Sequence, residues 1–203
     1  FTASTTQASI DGTIARDSVI GDFNKDGYLD VMNLRQNNHT VHLNDQDGTF
    51  TASQTLTDTS VTNGAIGDVT MGAVGDVNSD GFIDIVASSS DEGGINVYLG
   101  DGTGRNWQWS PDSLPKTGWA NRVVLTDLNG DKKLDLVASY DEGPRVWLGD
   151  GAGDWEWSST GLPTPSIRGL YTGIAVGDIN ADGRPDVAAA NWIDGPEVYL
   201  QTA

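Results

Sequence analysis

The sequence predicts an all-β fold, a β-propeller assembled from four blades of about 50 residues each. Three observations carry that prediction. Four acidic loops recur, Asp22–Asp30, Asp76–Asp84, Asp127–Asp135 and Asp178–Asp186, with first aspartates 54, 51 and 51 residues apart. Short β-branched and aromatic runs alternate with Gly/Asp/Asn turns throughout, and no stretch has the periodicity of a helix longer than a turn or two. Each period holds up to four strand-like runs, which is the content of one antiparallel blade.

The elements repeat in a constant order. A mostly apolar or alternating run precedes each acidic loop, at 14–20, 69–74, 123–125 and 174–176. A second run follows it, at 29–34, 83–87, 134–138 and 186–190. Polar turns at 36–38, 91–94, 141–144 and 194–196 lead into third strands at 40–43, 95–99, 145–148 and 197–200. Asp47-Gly48, Asp101-Gly102 and Asp150-Gly151 are hairpin signals, because glycine supplies positive φ without steric cost. Fourth strands follow at 50–56, 107–109 and 155–157. The repeats therefore run approximately 11–57, 58–111, 112–163 and 164–203 within one domain, 1–203.

The fourth repeat has no fourth strand after Leu200, whereas FTASTT at 1–6 matches the fourth-strand sequence FTASQT at 50–55. The expectation is that residues 1–10 complete the last blade beside 197–200. Closure within one molecule gives a four-bladed ring; closure between molecules gives an eight-bladed dimer or an open fibre. A chain cut from a longer propeller would present the same ends. The chain starts at Phe1 with no signal-like apolar segment, which reads as a processed or excised form.

Composition narrows function. Against 29 Asp and Glu stand 11 Lys and Arg, a net charge of −18, and the four loops hold twelve of those carboxylates. Such a field disfavours nucleic acid, whose phosphates need basic patches. There is no cysteine, so disulfides, thiol catalysis and thiolate ligation are excluded. No apolar run approaches the roughly 18 residues needed to span a bilayer, so membrane insertion is not expected.

Within each loop Asp, Asn and Asp stand at positions 1, 3 and 5, with another Asp at position 9. Alternate residues of a tight loop can point oxygen donors at one centre, the hard environment calcium takes. An EF-hand begins the same way but needs a bidentate Glu at position 12 and flanking helices. Position 12 here is Asn33, Ala87, Ala138 or Ala189, so that reading fails. The competing reading is that such loops are only good turns, their side chains bonding their own backbone.

The pattern Gly-Asp-x-Asn-x-Asp-Gly-x-x-Asp, preceded by Val-Ile-Gly21, Ala-Val-Gly75 and Ala-Val-Gly177 with the first glycine shared, resembles the FG-GAP/VCBS repeat family. Its repeats build the propellers of integrin α-chains, some fungal lectins and many bacterial secreted proteins. The resemblance implies calcium held by the side chains at positions 1, 3, 5 and 9 and the position-7 carbonyl. In loop one these are Asp22, Asn24, Asp26, Tyr28 and Asp30; in loop two, Asp76, Asn78, Asp80, Phe82 and Asp84. In loop three they are Asp127, Asn129, Asp131, Lys133 and Asp135; in loop four, Asp178, Asn180, Asp182, Arg184 and Asp186. Up to four Ca²⁺ ions are expected. The third site is expected to be weakest, because Lys132 replaces the position-6 glycine and Lys133 adds a second cation.

Trp107/Trp109 and Trp155/Trp157 recur at one repeat position, read as inter-blade packing with a sugar platform as the alternative. Trp119 and Trp192 are the better candidates for exposed ligand contacts. His39 and His42 read as solvated or half-buried strand residues without a catalytic partner. Asn38 opens the only Asn-x-Ser/Thr sequon, placed in a predicted surface turn. The expectation is a non-catalytic, calcium-stabilised module for adhesion, binding or assembly, secreted or on the cell surface. Alternatives are a glycan-binding lectin using tryptophan and a fibre subunit assembled by strand donation. Partners would be glycans, other extracellular proteins, or further copies through the N-terminal strand.

Overall fold

The structure is a computed structural model that describes residues 15–35, 38–57, 69–89, 93–110, 112–162 and 171–202. Among them there is no helix; fifteen strands form four antiparallel sheets. The first sheet joins β1 (Ala15–Gly21), β2 (Asp30–Arg35), β3 (Asn38–Asn44) and β4 (Phe50–Thr57) in sequence order. The second joins β5 (Val69–Gly75), β6 (Asp84–Ser89), β7 (Ile95–Gly100) and β8 (Trp107–Trp109). The third joins β9 (Ala120–Thr126), β10 (Asp135–Tyr140), β11 (Gly143–Gly149) and β12 (Trp155–Trp157). The fourth has three strands, β13 (Tyr171–Gly177), β14 (Asp186–Asn191) and β15 (Gly195–Tyr199).

Registers coincide between sheets: Val31 pairs with His42, Ile85 with Tyr98, Leu136 with Trp147 and Val187 with Tyr199. These sets fix equivalent positions in the four blades. An irregularity also recurs in the outer part of every first pairing, skipping Arg16, Thr70, Asn121 and Thr172. Second strands begin at the position-9 aspartate, one residue later than the sequence pattern suggested in the first three blades. Asn38 belongs to β3, paired with Thr57, and not to a turn as the sequence suggested. The proposed closing strand, residues 1–10, lies outside the described residues.

Blades stack in chain order through their first strands, β1 on β5, β5 on β9 and β9 on β13. Period-2 alternation puts one set of side chains on the forward face of each blade and the other on its rear face. Between blades one and two, Phe23, Met32, Leu34 and Val41 meet Ile85, Ala87 and Tyr98. Between blades two and three, Val77, Val86 and Val97 meet Leu136, Ala138, Trp147 and Trp155. Leu128, Val137 and Val146 meet Ile174 and Val187 between blades three and four. Blades two and three are covered on both faces, so β6 and β10 are buried along their whole length.

Two glycines permit close approach. A Cβ on Gly21 would lie 3.1 Å from Ile83, and one on Gly75 would lie 2.4 Å from Leu134. The glycine ahead of one loop thus seats the position-8 side chain of the next. At the third interface Thr126 replaces the glycine, and the facing position-8 residue is Pro185.

The tryptophan pairs divide. Trp107 stacks edge-on against Phe23 of the preceding blade at 5.5 Å, and Trp155 is buried in the second interface. Trp109 lies under the Lys116 ammonium, 5.6 Å from its ring centre, while Trp157 is more than half exposed beside Trp147. Both histidines are buried, against the sequence expectation; His39 faces blade two and meets Tyr98 edge-on at 6.3 Å. Burial depresses the His39 imidazole to about 4.

Candidate metal centres

Each acidic loop joins the first two strands of a blade, and its side chains order its own backbone. In loop one the Asp22 carboxylate accepts N–H groups from Asp26 (3.0 Å) and Gly27 (2.9 Å). Asn24 Oδ1 accepts the Asp26 N–H, and Asp26 Oδ1 accepts that of Tyr28. Loops two and four repeat all of these bonds, through Asp76, Asn78 and Asp80 and through Asp178, Asn180 and Asp182. The N–H groups gather negative oxygen into a small, exposed loop. They hold the Asp26 and Asp182 carboxyls below the usual range, the position-7 N–H being the main cause.

Position 9 behaves differently. Asp30, Asp84, Asp135 and Asp186 are wholly buried. One oxygen of each accepts the position-2 N–H, from Phe23, Val77, Leu128 or Ile179. The other accepts the N–H of Asn44, Gly100, Gly149 or Gln201, just past the third strand or at its end. This carboxylate ties the loop to the outer turn of its blade. Nothing in the motif signalled those four partners, because they lie 14 to 16 residues downstream in irregular sequence. Desolvation raises the Asp30 and Asp135 carboxyls and pushes Asp84 up to about 6, despite the two N–H bonds.

Every loop places positions 4 and 6 in the left-handed region: Lys25 and Gly27, Ser79 and Gly81, Gly130 and Lys132, Ala181 and Gly183. Loop three therefore exchanges its glycine between the two positions. Lys132 takes φ 68° where the others have glycine, and Gly130 relieves the position where they carry a side chain. One bond shifts with it, Asp127 Oδ1 accepting the N–H of Gly130 rather than of position 5. Cations reach the position-5 carboxylate in two loops: Lys133 Nζ lies 3.9 Å from Asp131, and the Arg184 guanidinium donates to Asp182 at 2.7 Å. The second contact was not foreseen from the sequence.

Among the described residues, no three carboxylate or imidazole groups converge enough to hold an ion unaided. The donor chemistry nevertheless fits a hard cation. Each loop offers three carboxylates, an amide oxygen and a position-7 carbonyl, with no nitrogen or sulfur donor. A carboxylate oxygen accepting one N–H keeps a lone pair for a metal.

A second feature lies at the far end of blade three. Gly118, Trp119, Tyr140, Asp141, Glu142 and Arg145 line a cleft of about 240 Å³. Trp119 is about half exposed; its carbonyl accepts the Asp141 N–H, and Asp141 also accepts from Asn121 at 2.8 Å. Arg145 pairs with Glu142 and lies 4.0 Å over the Tyr140 ring. Trp192, the other predicted contact, is 77% exposed in the β14–β15 turn.

A family model described as FG-GAP-like repeat matches residues 22–87, 76–138 and 127–189. The chain belongs to the FG-GAP-like repeat family. Each match begins at the first aspartate of one loop and ends beyond the next, so the acidic loop and β2-type strand are what the family shares with this chain. No match was found among curated proteins. Among solved structures, an Agrocybe aegerita lectin that recognises non-reducing terminal N-acetylglucosamine is 24% identical, with TM-score 0.58. That alignment covers 84% of this chain and 45% of the lectin. The biofilm matrix protein Bap1 of V. cholerae is 19% identical (TM-score 0.49, 94% of this chain, 31% of Bap1). The Photorhabdus luminescens Tc holotoxin pore is 15% identical (TM-score 0.49, 90% of this chain, 9% of the toxin chain). This FG-GAP-like chain thus spans less than half of each of these structures, and the lectin likeness establishes shared fold alone.

Proposed function

We propose that this chain is a non-catalytic, calcium-stapled extracellular binding or adhesion module with propeller architecture. The observation that carries this reading is the fourfold recurrence of one all-oxygen loop, anchored each time by a buried position-9 aspartate. Calcium would be held by Asp22, Asn24, Asp26, Asp30 and the Tyr28 carbonyl, and by the equivalent sets in the other three loops. The ion neutralises carboxylates that otherwise repel one another, and so locks the β1–β2 loop to the outer turn of its blade. Loops one and two carry no cation on position 5 and bind most tightly; loop three, with two lysines, binds least. Extracellular modules of this kind bind at roughly 10⁻⁴–10⁻³ M, which suits a structural rather than a signalling use. Melting followed by circular dichroism tests this: millimolar calcium should raise Tm over that in chelator, and equal Tm values would refute it.

The Trp119 cleft supports a second reading, a glycan-binding site. A half-exposed indole offers a flat apolar face for a pyranose ring, and Asp141, Glu142 and Arg145 offer hydrogen-bonding groups around it. A glycan array with the intact chain and with Trp119→Ala tests it; binding unchanged by the substitution would remove Trp119 from the site.

The closing strand belongs to the same proposal. Residues 1–6 match the fourth-strand sequence of blade one, and the sheet of blade four has three strands among the described residues, which supports the proposal that they pair with β15. Deleting residues 1–10 should lower Tm if the segment completes a blade, and leave it unchanged if it does not.

A further inference from the structure

The four acidic loops share an asparagine at position 3 but differ in what holds it. In loops one, two and four its amide nitrogen donates to the position-5 carboxylate, at 3.1, 2.9 and 3.0 Å. Its Oδ1 accepts the position-5 N–H, so the amide is fixed at both ends. Loop three keeps only the second bond, Asn129 Oδ1 accepting the Asp131 N–H at 2.9 Å; among the described residues the Asn129 amide nitrogen donates to no group. The following residue differs too. Lys25, Ser79 and Ala181 put a side chain at position 4, whereas loop three has Gly130. Asn129 and Gly130 are both exposed, and nothing lies within 4 Å of a Cβ built on Gly130.

An asparagine side-chain carbonyl carbon and the next residue's backbone nitrogen can close a five-membered ring. Closure is hindered by a side chain on the attacking residue and by any bond that fixes the amide nitrogen. Of the four loops, loop three lacks both obstacles. We propose that Asn129-Gly130 is a site of covalent self-modification, where the asparagine converts to aspartate and isoaspartate. The Gly130 nitrogen bonds to Asn129 Cγ and gives its proton to water. The amide nitrogen takes up a proton and leaves as ammonia, closing a succinimide. Water then opens the ring at either carbonyl, so amide and water become acid and ammonia with no oxidant or reductant. The Asp131 N–H on Oδ1 stabilises the negative charge that develops there during attack. In the closed loop the Gly130 N–H bonds Asp127 Oδ1 at 2.7 Å, so the reaction runs through openings that break this bond. An exposed loop opens at low cost.

The product changes the loop. Isoaspartate routes the main chain through the former side chain and lengthens the backbone by a methylene, so the Asn129 Oδ1 bond to the Asp131 N–H is lost. Loops one, two and four keep their asparagines, and the modification is confined to blade three. The reaction needs no metal, so its failure would leave the calcium reading standing. On that reading, the same conversion also removes the position-3 amide oxygen from the third site.

Warm, mildly alkaline incubation of the intact chain provides the test, followed by peptide mass spectrometry and enzymatic labelling of isoaspartate. The tryptic peptide 123–132 contains Asn129 and no other asparagine. It is therefore read separately from Asn63-Gly64, the chain's other Asn-Gly pair, which lies outside the described residues. The Asn129 amide should be lost about tenfold or more faster than those of Asn24, Asn78 and Asn180 in the same sample. Gly130→Ala should slow Asn129 to the rate of the other three without lowering Tm, because loop four already carries Ala181 at this position with φ 60°. Equal rates at the four asparagines, or a rate that Gly130→Ala leaves unchanged, would overturn the proposal. Conversion of Asn129 in urea but not in the folded chain would also overturn it, by showing that the Asp127 bond keeps the loop closed.

Discussion

Blades two and four carry nearly the same loop and the same strand register but very different surroundings. In both, the position-1, -3 and -5 side chains bond the same N–H groups, and the position-9 aspartate joins the loop to the outer turn. Blade two has neighbours on both sides, so β6 is buried throughout and Val97 is inaccessible. Among the described residues blade four packs against blade three alone, and Val198 and Ile179 are exposed. Local sequence thus builds the loop by itself, while burial comes from whatever stands beside the blade. A motif of nine residues can specify its own hydrogen bonds; it cannot specify how dry its last aspartate will be.

The widest gap between the blades should appear at their equivalent valines. Val97→Arg buries an unpaired charge and should cost about 4 kcal/mol or more in urea unfolding, enough to prevent folding in a marginal domain. Val198→Arg should change stability by no more than about 0.5 kcal/mol. Equal costs would mean that blade four is covered in solution.

A smaller difference is expected at the position-9 aspartates. Asp84→Ala orphans two buried N–H groups, of Val77 and Gly100, at about 1–3 kcal/mol each. Asp186→Ala frees the N–H groups of Ile179 and Gln201, which are only part-buried and can turn to water, so it should cost less. The same unfolding measurement decides, and a larger loss at Asp186 would reverse the comparison.

Titration should show the subtlest effect. In metal-free protein, Asp84 should titrate near 6 and Asp182 below the ordinary carboxylate range, as followed by carboxyl carbon NMR. Because the folded Asp84 value lies above the unfolded 3.8, the fold holds extra protons between them. Asp84 therefore adds stability as pH falls through about 6, and withdraws it as pH rises again. His39, depressed to about 4 by burial, acts in the opposite sense as pH falls from 6.5. Bound calcium should lower the Asp84 value; a value unmoved by calcium would remove Asp84 from the ligand set.

The repeat period, the strand order and the all-β class were legible because a 50-residue period and alternating apolar runs are local signals. Three strands of blade four were legible for the same reason, and they form its sheet among the described residues. Other features were hidden because they depend on contacts between distant segments. The buried state of His39 follows from blade two lying over β3, which no pattern within β3 reports. Gly130 as the counterpart of Lys132 escaped notice because only backbone torsions reveal that position 4 is left-handed as well. The Arg184–Asp182 pair, two residues apart, was available in the sequence, and a charge at position 7 is the signal that would have found it. The Trp119 cleft needed Tyr140 and Arg145 to be brought together across the β10–β11 turn.

Calorimetric titration of the metal-free chain with calcium tests the central claim most directly. Up to four ions should bind at roughly 10⁻⁴–10⁻³ M, with Asp22→Ala and Asp76→Ala each removing one of the tighter sites. Absence of heat and of any thermal stabilisation at saturating calcium would contradict the claim, and would leave the four loops as hydrogen-bonded turns.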